Sequence, residues 1–132
     1  MPTVRELRIA LTVDDYEAAV AFYRDALGLA EVESWKRPDG RGTILDAGRA
    51  TLELFDPLQA ETLDRIEVGR RVSGAVRFAL HVDDSAAAAD ELVEAGAHRE
   101  SDPVDTTWGD RNVRVRAPDG MQLTLFTPAG GD

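Results

Sequence analysis

Two arginines, Arg8 and Arg77, open the stretches "RIALTVDD" and "RFALHVDD", which match at six of eight positions. A guanidinium group carries only donors, stays protonated, and can hold a carboxylate or enolate oxygen by two parallel hydrogen bonds. Further along, "TLELFDP" and "QLTLFTP" also correspond, at an offset of 71 residues against 69 for the opening pair, and this sets Glu53 opposite Thr124. A carboxylate and a hydroxyl therefore join the two arginines as candidate ligand-binding groups. His81, in the second opening stretch, has an ordinary pKa suited to proton transfer, so His81 and Glu53 are the candidate acid–base residues. Trp35 and Trp108 supply the aromatic surface that small-molecule pockets favour. The chain has no cysteine, which excludes thiolate nucleophiles, disulfides and sulfur-based metal centres. Phosphate-cradling glycine loops and nucleophile elbows are absent as well.

The elements that must position these residues come in two rounds. In the first stretch Ile9, Leu11 and Val13 alternate with Arg8, Ala10 and Thr12, the period of a strand with one face buried. Asp14 then offers a cap and Glu17 stands three residues on. Val20, Tyr23 and Leu27 recur at helical spacing until Gly28. Three short strands follow, near "AEVESWK", "GTILDA" and "ATLELFD", separated by turn residues. The second round repeats the order: Phe78, Leu80 and Val82 alternate with Arg77, Ala79 and His81, Asp83 or Asp84 caps "SAAAADELVEAG", and strands follow near "HRES", "DRNVRVRA" and "MQLTLFT". Both rounds predict a βαβββ module, over residues 4–57 and 75–128, joined by a short helix or ordered linker over 58–74.

A single module has one helix to cover four strands and buries too little surface to stand alone. The expectation is one α+β domain over residues 1–132, its two modules paired about a pseudo-twofold axis. Curved mixed sheets then enclose a cleft, with the helices outside. The repeated strand is thus explained as two half-sites facing one pocket.

With 25 acidic and 15 basic residues the net charge is -10, and the signs are interspersed. Such a surface repels phosphate backbones, so nucleic acid is not an expected partner. No apolar run reaches membrane-spanning length, and charges at Arg5, Glu6 and Arg8 interrupt the start; a cytoplasmic protein without a membrane partner is expected.

Taken together, "LTVDDYEAAVAFYRDALGL", "LHVDDSAAAADELVEAGA" and "TTWGDRNVRVRAPDGMQLTLFTP" resemble the vicinal oxygen chelate superfamily of glyoxalases, bleomycin-resistance proteins and extradiol dioxygenases. The resemblance implies a paired βαβββ fold, a homodimer, and a cleft that often holds one divalent metal on His, Gln or Glu from the opening and closing strands. Carried onto this chain, the four positions are Arg8, Glu53, Arg77 and Thr124. Only Glu53 is an ordinary ligand, and two guanidinium groups repel a cation, so no metal and no cofactor is expected. Glu53 is instead expected to neutralise Arg8 and leave Arg77 as the free cation of the cleft floor.

These residues point to a metal-independent binding protein that sequesters a small molecule, a metabolite or antibiotic, with an anionic or carbonyl-bearing ligand favoured. The alternative is a lyase, isomerase or dioxygenase-like enzyme acting on a small carbonyl or carboxylate substrate, with His81 and Glu53 moving the proton.

Overall fold

The computed structural model of the chain describes residues 1–129. Its first half runs β1 (Val4–Thr12), α1 (Tyr16–Val20), β2 (Ala30–Arg37), β3 (Gly40–Asp46) and β4 (Ala50–Phe55). A linker helix, α2 (Pro57–Glu67), precedes β5 (Val76–Val82), α3 (Ser85–Glu94), the short β6 (His98–Arg99) and β7 (Val104–Asp105), then β8 (Asp110–Arg116) and β9 (Gln122–Pro128). One nine-stranded sheet holds them in the order β2-β3-β4-β1-β5-β9-β8-β6, with β7 also on β8. β1 is parallel to β4, and β5 is parallel to β9. The two halves meet where β1 and β5 run antiparallel. The α+β fold class with paired modules is as the sequence implied.

Local chemistry accounts for the helices. Asp15, one residue later than expected, caps α1 by accepting from the Ala18 N–H at 3.0 Å. The helix then widens into a π-helical turn over Ala21–Ala26, with Leu27 N–H donating to the Phe22 carbonyl at 2.8 Å. Asp84 caps α3 through Ala87 N–H at 3.1 Å. Asp56 caps α2, accepting from Gln59 N–H at 2.8 Å, with Pro57 in the first turn where no N–H is needed.

In the second half the strand matching β2 is broken into β6 and β7. Pro103 has no N–H to give to a ladder, and the Ser101 hydroxyl takes the Arg114 N–H at 3.0 Å in place of a backbone carbonyl.

The core lies on both faces of the sheet. On the outer face α1 covers Leu45 and Leu54, while α3 covers Val82, Val113, Val115 and Leu125, all almost fully buried. The inner face is covered in part by α2: Leu63 packs on Ala10 and Phe55, with Trp35 alongside. Ala10, assigned by alternation to the polar face of β1, is therefore buried (3% exposed), whereas Ile9 and Leu11 are half-buried. Gly40 allows this docking. A Cβ there would lie 2.4 Å from the Gln59 backbone, at a φ of +142° that side chains rarely adopt.

Candidate functional site

Strand register brings the repeated residues together. Across β4, β1 and β5, Glu53 faces Ala10 and Ala10 faces Arg77. Across β1, β5 and β9, Arg8 faces Ala79 and Ala79 faces Thr124. The rows are mates about the local twofold between β1 and β5, and each sets a small alanine between two polar side chains. All six residues point to the inner face, because side chains alternate along a strand. Above them lies a cavity of about 420 Å³. Its floor is this double row and its roof is the side of α2 bearing Gln59, Leu63 and Glu67. Trp35 and Trp108 stand on opposite arms.

Arg77 is buried, at 6% exposure, and donates from Nη1 to Thr124 Oγ1 at 2.7 Å. Thr124 has no free capacity. Its oxygen also accepts from Arg114 Nε at 3.1 Å, and its proton goes to Glu67 Oε1 at 2.8 Å. Thr124 therefore clamps Arg77 rather than offering a hydroxyl to a ligand. Burial pushes the Arg77 guanidinium below its ordinary value, against the pull of Glu67 and Glu53; an arginine remains charged nonetheless.

Glu53 is 7% exposed and lines the same cavity. Among the described residues no hydrogen bond or ion pair reaches its carboxyl. Burial raises its pKa, and the nearby Arg77 and Arg8 oppose the rise only in part. The expected Glu53–Arg8 pair does not form. Arg8 turns along its own strand to Glu6, 3.3 Å away, and lies over the Phe126 ring at 4.5 Å. Glu6 is in turn bonded by the Thr51 hydroxyl. A carboxylate two residues away on the same face is simply nearer than one on the neighbouring strand.

His81 lies beside Glu6 in register and stacks on Phe126 at 5.2 Å. It lines an adjoining hollow of about 590 Å³ with Glu6, Arg8 and Arg49 rather than the cavity of Glu53. His81 and Glu6 stand four residues of strand, about 13 Å, from the row of Glu53, Ala10 and Arg77, so the proposed acid–base pair is not brought together. Trp35 donates from Nε1 to Gln59 Oε1 at 2.9 Å and packs against Phe55. Trp108, 48% exposed, donates to Asp110 Oδ2 at 3.1 Å. Burial raises the Asp110 pKa despite that bond.

Sequence reasoning missed the polar core behind the cavity. Arg114 is fully buried and meets Asp64 at 2.9 Å, Glu67 at 3.2 Å and Gln122 Oε1 at 3.2 Å. Asn112 donates to Glu67 Oε2 at 3.2 Å. Asp64 also accepts from Ser73 and Val72 N–H, both at 2.8 Å, and from Arg71. Burial alone would raise the Asp64 pKa, but these hydrogen bonds and Arg114 hold it well below the carboxylate range. Two signals were available. Asn112 and Arg114 alternate with Val113 and Val115, and Asp64 and Glu67 stand three apart in a helix, hence on one side of it.

A curved sheet built from two βαβββ halves, with a polar-floored cavity on its inner face, defines a paired-module, cavity-forming class of protein. The chain belongs to the Glyoxalase/Bleomycin resistance protein/Dioxygenase superfamily, whose family model matches residues 7–125. It is 33% identical over 127 residues to the uncharacterized protein YraH of Bacillus subtilis (strain 168), covering 91% of this chain and 95% of that one. Among solved structures, the hypothetical protein BH1468 of Bacillus halodurans C-125 superposes with a TM-score of 0.69 at 18% identity, over 99% of this chain and 97% of that one. Streptomyces coelicolor methylmalonyl-CoA epimerase (Q60A) gives a TM-score of 0.69 at 23% identity, over 98% of this chain and 100% of that one. At these identities the structural likeness establishes the fold.

The divalent metal implied by the family does not fit the residues present. Two of the four positions are guanidinium groups without a lone pair to give. The third, Thr124, is saturated by protein partners. Among the described residues no group of three His, Asp or Glu side chains is placed to hold an ion. Likewise among the described residues, no helix is long and apolar enough to cross a membrane.

Proposed function

We propose that the chain is a metal-independent small-molecule-binding protein of this superfamily, with a ligand whose anionic or carbonyl oxygen is held by Arg77. One observation carries the reading: a buried guanidinium, aimed by Thr124 into a cavity of about 420 Å³, has N–H groups that no described residue occupies. Aromatic walls at Trp35, Phe55 and Phe126, with aliphatic surface from Leu63 and Ile66, suit an apolar body. Native mass spectrometry of freshly purified protein, with thermal-shift screening of small carboxylates, tests this. Arg77→Ala is expected to lose about 10- to 100-fold in affinity, the value of a charge-assisted hydrogen bond, and Arg8→Ala less because Glu6 already neutralises it. Equal affinity in wild type and both variants overturns the reading.

The raised pKa of the unpaired Glu53 supports a second reading, as a lyase or isomerase. A carboxylate with increased basicity beside a guanidinium can take a proton from carbon next to a carbonyl while the enolate oxygen is stabilised. Loss of the α-proton signal of a bound carbonyl compound in deuterated buffer, abolished by Glu53→Gln, would establish it. We also propose a cytoplasmic homodimer, supported by the edge strand β2, whose Val32 is 65% exposed. A monomeric mass by light scattering rules the dimer out.

A further inference from the structure

We propose that the cavity selects ligands in which the anionic group is accompanied, within a few bonds, by an N–H or O–H donor: an α-amino or α-hydroxy acid with an apolar body. This rests on the reading of Arg77 as the anion clamp, and adds Glu53 as the acceptor for the second group.

Glu53 and Arg77 flank Ala10 on adjacent strands, so their Cα atoms lie two strand spacings apart, about 9.6 Å. Their side chains rise on one face with only a methyl group between them. Left free, a long arginine would close on the carboxylate. Here it is drawn away, because Nη1 is bonded to Thr124, which Glu67 and Arg114 hold in turn. The result is a buried acceptor and a buried donor, both open to the cavity and not bonded to each other.

Glu33, Arg37 and Asp39 also line the cavity but are exposed to water, and the remaining charges beside Glu53 and Arg77 have partners. Arg8 faces Glu6, Glu67 is taken by Arg114 and Thr124, and Asp110 accepts from Trp108. Leaving a buried polar group unpaired is costly, and a ligand that occupies only one of the two leaves the other uncompensated. A simple carboxylate would satisfy Arg77 and face the Glu53 carboxyl with nothing to donate. An adjacent ammonium or hydroxyl group gives Glu53 its donor, and the apolar remainder meets Phe55, Leu63 and Trp35.

Calorimetric titration of the full chain with 3-phenylpropanoate, 3-phenyllactate and phenylalanine, in both enantiomers where chiral, isolates the added group. Wild type is expected to bind 3-phenyllactate or phenylalanine about tenfold more tightly than 3-phenylpropanoate, a difference that Glu53→Gln reduces severalfold for phenylalanine. Arg77→Met should weaken all three probes. The melting temperature of each variant verifies that it is folded, and the wild-type comparison stands without any variant. If 3-phenylpropanoate binds as tightly as the substituted acids and Arg77→Met weakens it, the donor preference is overturned while the anion clamp stands. If no probe binds wild type at millimolar concentration, both are overturned.

Discussion

Replacing Arg114 by methionine should loosen the linker helix that roofs the cavity. The guanidinium, wholly buried, bonds to Asp64 at 2.9 Å, Ser73 Oγ at 2.9 Å, Thr124 at 3.1 Å and both Glu67 and Gln122 at 3.2 Å. Its two carboxylate partners fare differently without it. Asp64 keeps Arg71, Ser73 and the Val72 N–H. Among the described residues Glu67 keeps only the Thr124 hydroxyl and the Asn112 amide while remaining 2% exposed. Breaking one side of a buried ion pair costs about 3–5 kcal/mol. For a chain of this size that lowers the melting temperature by about 10–20 °C. Glu67→Gln added to Arg114→Met should recover part of the loss, because no orphaned charge then remains. Thermal and urea unfolding at neutral pH measure the cost. Trp35 emission reports the helix directly, since the indole N–H is bonded to Gln59 on α2. A loss below about 1 kcal/mol with unchanged emission would refute the reasoning, because it would mean that water reaches Glu67 and that α2 is held by apolar packing alone.

Other outcomes follow from the same geometry. Asp64 has a folded pKa below its unfolded value, so its contribution to stability is present above about pH 4 and lost as the pH falls below that; acid unfolding of Asp64→Asn should show a flattened acid limb. Glu53 has the opposite sign: its pKa is raised on folding, so wild type loses stability as the pH rises from about 4.3. Glu53→Gln should therefore melt higher than wild type at pH 7 to 8 and no higher at pH 4, as differential scanning calorimetry would reveal. Gly42→Ala would place a Cβ 2.1 Å from Trp35 Cζ2, and should cost about 1–3 kcal/mol while shifting Trp35 emission. Elemental analysis after dialysis is expected to find no stoichiometric divalent metal, and one equivalent that raises the melting temperature would contradict the donor-set argument.

The repeat, the strand faces and the floor of the cavity were legible in the sequence alone. Alternation is a local property of a strand, so it put Arg8 and Arg77 on the faces opposite their core residues before any contact was known, while the repeat and the family resemblance put Glu53 and Thr124 on the partner strands. The near-equal offsets of 69 and 71 then implied two equivalent rows. Tertiary structure alone decided which charges meet. Arg8 turned to Glu6 within its own strand, Thr124 was filled by two arginines and Glu67, and His81 fell into the adjoining hollow. The linker segment read as a short helix, but its docking on the inner face was not readable. That docking buries Ala10 and delivers Asp64 to Arg114 across 50 residues of chain. The physical reason is reach. A strand fixes where a side chain starts, whereas a long arginine or glutamate ends wherever packing by distant residues leaves it an unshared partner, or, for Glu53, none among the described residues.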